Sequence, residues 1–293
     1  MVSCQLASIG DPILSSISTS SDLLKNRSLG LLGAGNMAEA MVKGVLSAGA
    51  IPKERILASD VSADRRAQFQ SKFGVSVTED NLAVAKASDI LLLCVKPQQA
   101  DAVLKQIAPA FQSDRHVLAS ICAGVKTSRI ESPLPDGARV IRVMPNTPML
   151  VGLGASCLCG GRSAREEDLA TIEALLSSAS LTLRVEEKMM DAVTGLSGSG
   201  PAYLFYLVEA MIDAGLAEGF TQQQASALAV RTVLGASKML EETGLPPEEL
   251  RRRVTSPNGT TQAAIERMES DQVKAKITAA VRRAAERSRE LGR

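Results

Sequence analysis

Short apolar runs alternate with segments of helical periodicity through the first half of the chain. The runs predict strands over residues 29–32, 55–59, 75–77, 90–95, 117–121 and 140–143, with helices over residues 36–49 and 63–73 between the first of them. Strands that are apolar on both faces and separated by helices are typical of a parallel sheet covered on both sides. The pattern therefore predicts a doubly wound, Rossmann-type α/β domain with a parallel sheet over residues 28–188.

The strand pattern stops after about Met189, and residues 189–293 predict an all-α domain. A helix that begins at Pro201 is apolar around much of its circumference, and a second helix over residues 221–242 is rich in alanine. A helix that is apolar on several sides is buried by its own domain or by a second subunit. We expect a dimerisation domain, with an ordinary bundle inside a monomer as the alternative.

The composition excludes several kinds of chemistry. The 293 residues include 33 Lys and Arg and 32 Asp and Glu, and a formal net charge of +1 argues against a nucleic-acid binder with a broad basic face. The single histidine, His116, excludes a multi-histidine metal site and argues against imidazole catalysis.

The five cysteines have no framework spacing, so we predict buried, reduced thiols and no metal site, although Cys157 and Cys159 share one face of a predicted strand. No apolar run approaches the roughly 20 residues of a membrane span.

Residues 1–27 are rich in serine and have no basic residue before Lys25. A secretory signal needs a basic start and a longer apolar stretch, and an organelle transit peptide is usually rich in arginine. We therefore predict an extension that precedes the first domain and a cytoplasmic protein. A Ser-rich leader to a plastid or another organelle is the alternative.

Residues 33–38 read Gly-Ala-Gly-Asn-Met-Ala and match the G-x-G-x-x-A turn of dinucleotide-binding domains. Gly33 permits a tight turn after the first strand, Gly35 lets the backbone approach a pyrophosphate, and Ala38 allows the helix to pack closely on the sheet. The helix N-terminus offers unpaired N–H groups and the positive end of the helix dipole. The motif alone is a weak signal, but its place between a strand and a helix predicts dinucleotide binding.

The residues after the second predicted strand leave the choice between NAD and NADP open. Asp60 is placed either to bind the ribose hydroxyls of NAD or to cap the next helix. Ser59, Ser62, Arg65 and Arg66 follow the pattern that accommodates a 2′-phosphate.

Two turns that contain proline follow strands at the edge where ligands bind in open α/β sheets. Val95, Lys96 and Pro97 end the fourth strand, and residues 144–148 read Met-Pro-Asn-Thr-Pro after the sixth. We expect both turns to border the cofactor, the second as a rigid polar loop around Asn146. The structural alternatives are that Pro97 only stops the strand and starts a helix, and that residues 144–148 form a plain turn.

A third loop, residues 255–261, reads Thr-Ser-Pro-Asn-Gly-Thr-Thr and leads into a helix predicted over residues 262–268. A helix N-terminus behind a loop rich in glycine and hydroxyl groups suits a carboxylate. The alternative is that Thr260 or Thr261 only caps the helix. We interpret the arginine run at residues 251–253 as a solvated helix end.

Together these segments resemble pyrroline-5-carboxylate reductases. The resemblance rests on the turn G-A-G-N-M-A, the strand end V-K-P, the loop M-P-N-T-P, the segment D-A-V-T-G-L-S-G-S-G-P-A-Y at residues 191–203 and the late T-S-P-x-G-T-T. It extends from about Ser28 to the C-terminus and leaves only the N-terminal extension uncovered.

The resemblance implies an enzyme that reduces 1-pyrroline-5-carboxylate to L-proline, the last step of proline biosynthesis, with NADP(H) favoured and NAD(H) as the alternative. It also implies a homodimer with interlocked helical domains, and rings of such dimers. The implied cofactor contacts are Gly33, Ala34, Gly35, Asn36, Met37, Ser59, Asn81, Val95, Lys96, Pro97, Ala123 and Asn146. The implied substrate contacts are Ser199, Gly200, Ser256, Gly259, Thr260 and Thr261. Thr261 is also the implied catalytic residue, because it matches the hydroxyl that contacts the ring nitrogen and the carboxylate.

Two departures from the family pattern lie around the late loop. Asn258 stands where family members commonly have a second glycine, and Asn tolerates left-handed backbone angles better than most residues. Residues 243–253 lack the His-Pro-Gly and the particular acidic residue that family members usually have there, although Glu248 and Glu249 are present, and this bears on the shape of this edge of the pocket.

Two rival functions use the same architecture. A reductase of β-hydroxy acids or acyclic imines usually has a lysine in the helical domain near the nicotinamide, and only Lys188 and Lys238 lie near the glycine-rich segment. A non-catalytic sensor of NAD(P) would not need the Ser- and Thr-rich loop at residues 255–261.

Overall fold

The structure, a computed structural model, describes residues 23–292, so most of the predicted N-terminal extension lies outside the described residues. The described chain forms two compact units. The first contains residues 23–199 and 283–292, and the second contains residues 200–282. The chain thus passes into the second unit between Ser199 and Gly200, a little after the predicted domain boundary at residues 188 and 189.

The first unit is built on an eight-stranded sheet with the order β3-β2-β1-β4-β5-β6-β7-β8. Its strands are β1 (Leu29–Leu32), β2 (Ile56–Ser59), β3 (Ser76–Thr78), β4 (Ile90–Leu93), β5 (Val117–Ser120), β6 (Arg139–Met144), β7 (Gly154–Gly160) and β8 (Ser180–Arg184). Neighbouring strands are parallel except for β6 and β7. The predicted doubly wound Rossmann-type fold is confirmed.

The antiparallel β7 differs from the fully parallel sheet that the sequence predicted. Only residues 145–153, with a 3₁₀ turn at Thr147–Val151, connect β6 to β7. A parallel crossover needs a dozen or more residues, so this short connection returns the chain antiparallel to β6. Strand β8 was not predicted at all, because it is an edge strand whose Leu181 and Leu183 are exposed and do not form a buried apolar run.

The helices of the first unit follow the predicted pattern. They are α1 (Asn36–Ser47), α2 (Ala63–Phe73), α3 (Asn81–Ala87), α4 (Ala100–Ile107), α5 (Thr127–Glu131), α6 (Glu166–Leu176) and α7 (Met190–Val193). The bounds of α2 agree with the prediction because both ends carry local signals. The Ser62 hydroxyl accepts a hydrogen bond from the Arg65 N–H at one end, and Gly74 adopts a φ of 66° at the other.

The core has two parts, one on each face of the sheet. Leu29 and Leu31 belong to one cluster, whereas Leu32 belongs to the other, and all three are fully buried. Strands that alternate between two buried layers must be apolar at every position, which explains why they read as continuous apolar runs. Leu24, inside the predicted extension, is only 1% exposed and joins the first cluster.

The second unit is helical, as predicted. It contains α8 (Gly200–Ala217), α9 (Gln222–Thr243), α10 (Pro247–Arg253), α11 (Thr260–Ser270) and the beginning of α12 (Val273–Leu291), whose end belongs to the first unit. No residue of α8 is buried, and Phe205 and Tyr206 are 63% and 76% exposed. The unit therefore leaves large apolar surfaces uncovered within one chain. None of the described helices is both long enough and apolar enough to cross a membrane.

Candidate active site

The carboxyl ends of β1, β4, β5 and β6 border a cleft in the first unit. Its lining residues are Gly35, Asn36, Met37, Cys94, Val95, Lys96, Pro97, Ile121, Cys122, Ala123, Met144 and Pro145. Ligands of open α/β sheets bind at this edge, where the strand order reverses between β1 and β4. The cleft volume of about 330 Å³ is at the lower end for small-molecule sites, so it suits one end of a dinucleotide.

The glycine turn has the backbone shape that the sequence predicted. Gly33 has a φ of 103°, and a Cβ added there would lie 2.8 Å from the Cys94 carbonyl oxygen, so only glycine fits. Gly35 is extended, with a φ of −74°, and a Cβ added to it would meet only the Cys94 carbonyl oxygen, at 4.0 Å. No side chain among the described residues caps α1 at Gly35, so its first N–H groups remain available to an anion. Ala38 is fully buried beneath the turn.

Asp60 supports the glycine turn. Its carboxylate accepts hydrogen bonds from the Ala34 N–H (3.0 Å) and from the Ser62 N–H (2.9 Å). The alternative in which Asp60 caps the next helix is wrong, because Ser62 caps α2. A carboxylate was the residue type predicted for the ribose of NAD, and this one lies directly beside the turn.

The basic residues predicted for a 2′-phosphate lie at the same corner. The Arg65 guanidinium donates to the Ala34 carbonyl oxygen and pairs with Glu39 at 2.8 Å. Arg66 donates to the Asp60 carbonyl oxygen at 2.8 Å. Burial raises the pKa of Glu39, but hydrogen bonds from Lys72 and Arg65 outweigh it and leave the pKa below its usual value. An acidic candidate, Asp60, and a basic candidate, Arg65, thus both bind backbone atoms of Ala34, which is why the sequence alone did not separate them.

Ser59 and Asn81 lie together at the end of β2. The buried Ser59 hydroxyl is 2.6 Å from the Asn81 side-chain oxygen and 3.1 Å from the Leu31 carbonyl oxygen. The Asn81 amide donates to Gln106 Oε1 at 2.6 Å. Two predicted cofactor contacts, one at the end of β2 and one at the start of α3, therefore meet in space.

Two thiols line the cleft. Burial raises the pKa of Cys122 to about 11 and raises that of Cys94 further above its usual range. The Cys122 thiol donates to the Val95 carbonyl oxygen at 3.3 Å. Both thiols are therefore neutral packing groups and not nucleophiles. Pro97 begins a short 3₁₀ turn, as its structural alternative predicted, and also lines the cleft.

Asn146 connects three segments of the first unit. Its amide nitrogen donates to the Ser197 carbonyl oxygen (3.2 Å), and its oxygen accepts from the Ala155 N–H (2.8 Å). Ser197 belongs to a π-helical turn, Thr194–Gly198, which the sequence did not predict. The turn lies close to β6, because a Cβ added to Gly198 would overlap the end of the Met144 side chain. Ser199 ends the turn, and its N–H donates to the Thr194 carbonyl oxygen at 2.8 Å.

The late loop of the second unit also has the predicted shape. Asn258, which stands where family members commonly have glycine, adopts a φ of 59°. This is the left-handed backbone region, which Asn tolerates better than most residues. Its N–H donates to the Gln262 side-chain oxygen at 2.8 Å, which fixes the loop on the first turn of α11. Gly259 is the N-cap and no side chain caps it, so the alternative in which Thr260 or Thr261 caps the helix is wrong. Ser256 packs against Gly259, where a Cβ would overlap its hydroxyl.

The arginine run before this loop forms surface ion pairs, as interpreted. Arg252 and Arg253 pair with Glu249 at 2.8 and 2.9 Å, and Arg251 pairs with Glu269 at 3.2 Å. Hydrogen bonds from Arg252 and Arg253 lower the pKa of Glu249 to about 2.

His116 lies away from the cleft, at the amino end of β5. It is fully buried, and its Nδ1 accepts a hydrogen bond from the Gln112 N–H at 2.8 Å. Burial, with a smaller effect of the Arg115 cation, lowers its pKa. Among residues 23–292, no group of three or more His, Cys, Asp and Glu side chains is arranged to hold a metal ion.

All but one of the predicted site residues fall into two groups. Those of the first unit gather at the carboxyl edge of the sheet, and Ser256, Gly259, Thr260 and Thr261 gather at the start of α11 in the second unit. Gly200 is the first residue of α8. Sequence reasoning missed Ile121 and Cys122 as lining residues. Apolar side chains give no chemical signal, and only their place at the ends of predicted strands could have identified them.

The fold and the cleft are those of a Rossmann-type dinucleotide-binding protein, and comparison with known proteins shows an oxidoreductase that uses a nicotinamide dinucleotide. Residues 28–124 match the family described as NADP oxidoreductase, coenzyme F420-dependent. Residues 187–291 match the pyrroline-5-carboxylate reductase dimerisation family.

Curated relatives cover nearly the whole chain. The pyrroline-5-carboxylate reductase of Methanosarcina acetivorans is 44% identical over 92% of this chain and 100% of its own length. The enzyme of Arabidopsis thaliana is 42% identical over 90% of this chain and 95% of its own length. The chain therefore belongs to the pyrroline-5-carboxylate reductase family.

Solved structures of the family share the fold. The Coxiella burnetii pyrroline-5-carboxylate reductase is 34% identical, with a TM-score of 0.85 over 91% of this chain and 99% of that one. The Plasmodium falciparum pyrroline carboxylate reductase, solved with NADP bound, is 29% identical, with a TM-score of 0.84 over 92% of this chain and 100% of that one.

Proposed function

We propose that this protein reduces 1-pyrroline-5-carboxylate to L-proline with NADPH, with NADH as the alternative donor, in the last step of proline synthesis. The observation that carries the proposal is the 44% identity to a pyrroline-5-carboxylate reductase over that relative's whole length. Most of the candidate residues at the sheet edge lie within residues 28–124, and those at α11 lie within residues 187–291, the two segments that match known families.

The sheet edge fits a nicotinamide dinucleotide. The uncapped start of α1 and the open space at Gly35 suit a pyrophosphate, which needs N–H donors and close backbone approach. The bound dinucleotide would supply a hydride. We favour NADPH because Arg65 and Arg66, in the first turn of α2, lie beside the glycine turn and Asp60, and because the Plasmodium relative was solved with NADP bound.

The start of α11 fits the carboxylate of the substrate. Its first N–H groups have no side-chain cap, and the helix is 11 residues long, so its positive dipole end favours an anion. Thr260 and Thr261 add hydroxyl groups at this end. We assign Thr261 to the ring nitrogen, where its hydroxyl holds or relays the proton that makes the imine carbon more electrophilic.

This chemistry does not require a histidine. The imine carbon is already electrophilic, so the protein mainly holds two reactants in the right orientation, which contributes at most about 7–11 kcal/mol. His116, buried at the other edge of the sheet, is assigned no part in it.

The proposal is tested with Thr261→Ala and the control Thr261→Ser, which keeps the hydroxyl. We expect kcat/KM for pyrroline-5-carboxylate to fall about 10- to 1,000-fold in the first variant and much less in the second. A Thr261→Ala variant within about twofold of the native enzyme would contradict the role of Thr261.

The same assay separates the rival functions when small keto acids replace the imine. Turnover of keto acids alone would favour a β-hydroxy acid reductase, and no turnover at all would favour a sensor. The lysines that the first rival needs are engaged elsewhere, since Lys188 pairs with Glu186 at 2.6 Å and Lys238 with Glu241 at 2.8 Å.

We further propose a homodimer with interlocked helical domains, and analytical ultracentrifugation or light scattering measures the number of subunits. The match of residues 187–291 to a dimerisation family and the exposed apolar side chains of α8 support it. We also propose rings of dimers and a cytoplasmic location, with an organelle as the alternative. A monomer at micromolar concentration would contradict the proposed dimer, because the apolar faces of α8 and α9 would then face water.

A further inference from the structure

The end of the last helix is bonded to the segment that leads into the π-helical turn. Ser288, near the end of α12, is 4% exposed, and its hydroxyl donates to Asp191 Oδ1 at 2.6 Å. Asp191 lies in α7, which continues directly into the turn Thr194–Gly198. The two residues are 97 positions apart in the chain, so the bond joins the C-terminal helix to the candidate active site.

A buried arginine lies behind this bond. The Arg142 side chain is 4% exposed on β6, with its guanidinium nitrogens 3.7 Å from Asp191 Oδ1 and 3.6 Å from Glu187 Oε1. These distances are too long for direct hydrogen bonds but hold three charges together in a partly buried site. Glu187 in turn accepts hydrogen bonds from the N–H and the hydroxyl of Thr127, at 2.7 and 2.9 Å.

The last turn of α12 also packs against the loop after β5. Gly124 has a φ of 77°, and a Cβ added there would lie 3.1 Å from the Ser288 carbonyl oxygen. A Cβ added to Gly292 would overlap the Gly124 carbonyl oxygen. This close approach places the helix end beside Ala123, which lines the cleft.

The π-helical turn needs such support. It contains Gly195 and Gly198, and glycine loses more conformational freedom on ordering than any other residue. Within the first unit, Asn146 holds the turn through the Ser197 carbonyl oxygen, and Asp191 fixes the helix that precedes it. A turn that is held at both points is ordered before a ligand binds. The free energy of binding is then not reduced by the cost of ordering this turn.

We propose that Ser288 and Asp191 are positioning residues for the reduction: the end of α12 holds the Thr194–Gly198 turn in its reactive position through the Ser288–Asp191 bond. The inference rests on the proposed function, because that function places the turn beside the reacting groups. Neither side chain contacts a reacting atom. Loss of the bond lowers turnover and leaves the glycine turn at Gly33–Gly35, and hence cofactor affinity, unchanged.

The test compares Ser288→Ala with Ser288→Thr and with Ser156→Ala. Ser156 is a matched control, because it is 1% exposed in the same unit and its hydroxyl is 2.7 Å from that of Ser180. We expect kcat to fall about 10- to 100-fold in Ser288→Ala, the size of effect that misplacement of a reacting group produces. The dissociation constant for NADPH should stay within about twofold, and Ser288→Thr and Ser156→Ala should both keep near-native kcat.

Hydrogen–deuterium exchange provides a readout that does not depend on activity. Amides of residues 190–199 should exchange about tenfold faster in Ser288→Ala than in the native protein, and not in Ser156→Ala. Unchanged exchange there, or an equal loss of kcat in both alanine variants, would overturn the proposal. If the native protein does not reduce pyrroline-5-carboxylate, the proposed function fails, while the exchange result still decides whether Ser288 orders the turn.

Discussion

Substitution of Gly35 by alanine separates the cofactor site from the stability of the fold. In the free protein, a Cβ added at this position has one neighbouring atom, the Cys94 carbonyl oxygen at 4.0 Å, which is ordinary contact. The φ of −74° is open to any residue. Gly35 is the N-cap of α1, where alanine is less favourable than glycine, so we expect unfolding to become easier by less than about 1 kcal/mol.

Cofactor binding should respond quite differently. The same Cβ would stand where the backbone must approach the pyrophosphate. We expect the dissociation constant for NADPH to rise at least tenfold, equivalent to about 1.4 kcal/mol or more. Because the chain has no Trp, binding can be followed by the fluorescence of the reduced nicotinamide itself, and stability by urea unfolding.

Two other glycines serve as controls for this variant. Gly33→Ala combines a φ of 103° with a 2.8 Å contact to the Cys94 carbonyl oxygen, so it should lose both binding and about 1–3 kcal/mol of stability. Gly49→Ala, at a φ of 61° with no atom within 4 Å, should lose about 1–2 kcal/mol of stability and keep its affinity. A Gly35→Ala variant that binds NADPH within twofold of the native protein would refute the placement of the pyrophosphate at this turn.

Two further predictions concern buried ionisable groups outside the cleft. Since the pKa of His116 is lowered in the folded state, the unfolded chain takes up the proton first, and the free energy of unfolding should fall as the pH drops below about 6.5. Urea titrations should show this slope, at most about 1.4 kcal/mol per pH unit, in the native protein and not in His116→Asn. The second prediction concerns Asp168→Ala, which removes the carboxylate that pairs with Arg139 at 2.9 Å. The Arg139 side chain is 7% exposed, so its charge stays buried without that partner. Urea unfolding should register a loss of about 3–5 kcal/mol, and a loss below 1 kcal/mol would mean that Arg139 finds other partners.

Local signals made much of the fold predictable. The buried runs of β1 and β4 and the bounds of α2 were predicted because side-chain periodicity and the glycine that ends a helix act within one or two turns of chain. The glycine turn was predictable for the same reason, since Gly33 meets a local backbone requirement. The direction of β7 was not, because it depends on how the chain leaves β6 and not on the residues of β7 itself.

The candidate site was predictable by residue and not by arrangement. The sequence singled out Asn146, but only the structure shows that its amide joins the Ala155 N–H to the Ser197 carbonyl oxygen. Asp60 and Arg65 left the choice of cofactor open in the sequence, and the structure brings both onto the peptide groups of Ala34. Hydrogen bonds of this kind join residues far apart in the chain and leave no periodic trace.

The sequence by itself determined the α/β class of the first unit, the all-α class of the second unit, the dinucleotide turn and the left-handed Asn258. Each of these features depends on periodicity or on the backbone freedom of single residues. Tertiary structure alone decided which polar groups from distant parts of the chain meet. The contact between Ser288 and Asp191 is the clearest case, because nothing near either residue predicts the other. Its existence depends on where folding brings the end of the last helix, and that position is fixed by the packing of the whole first unit.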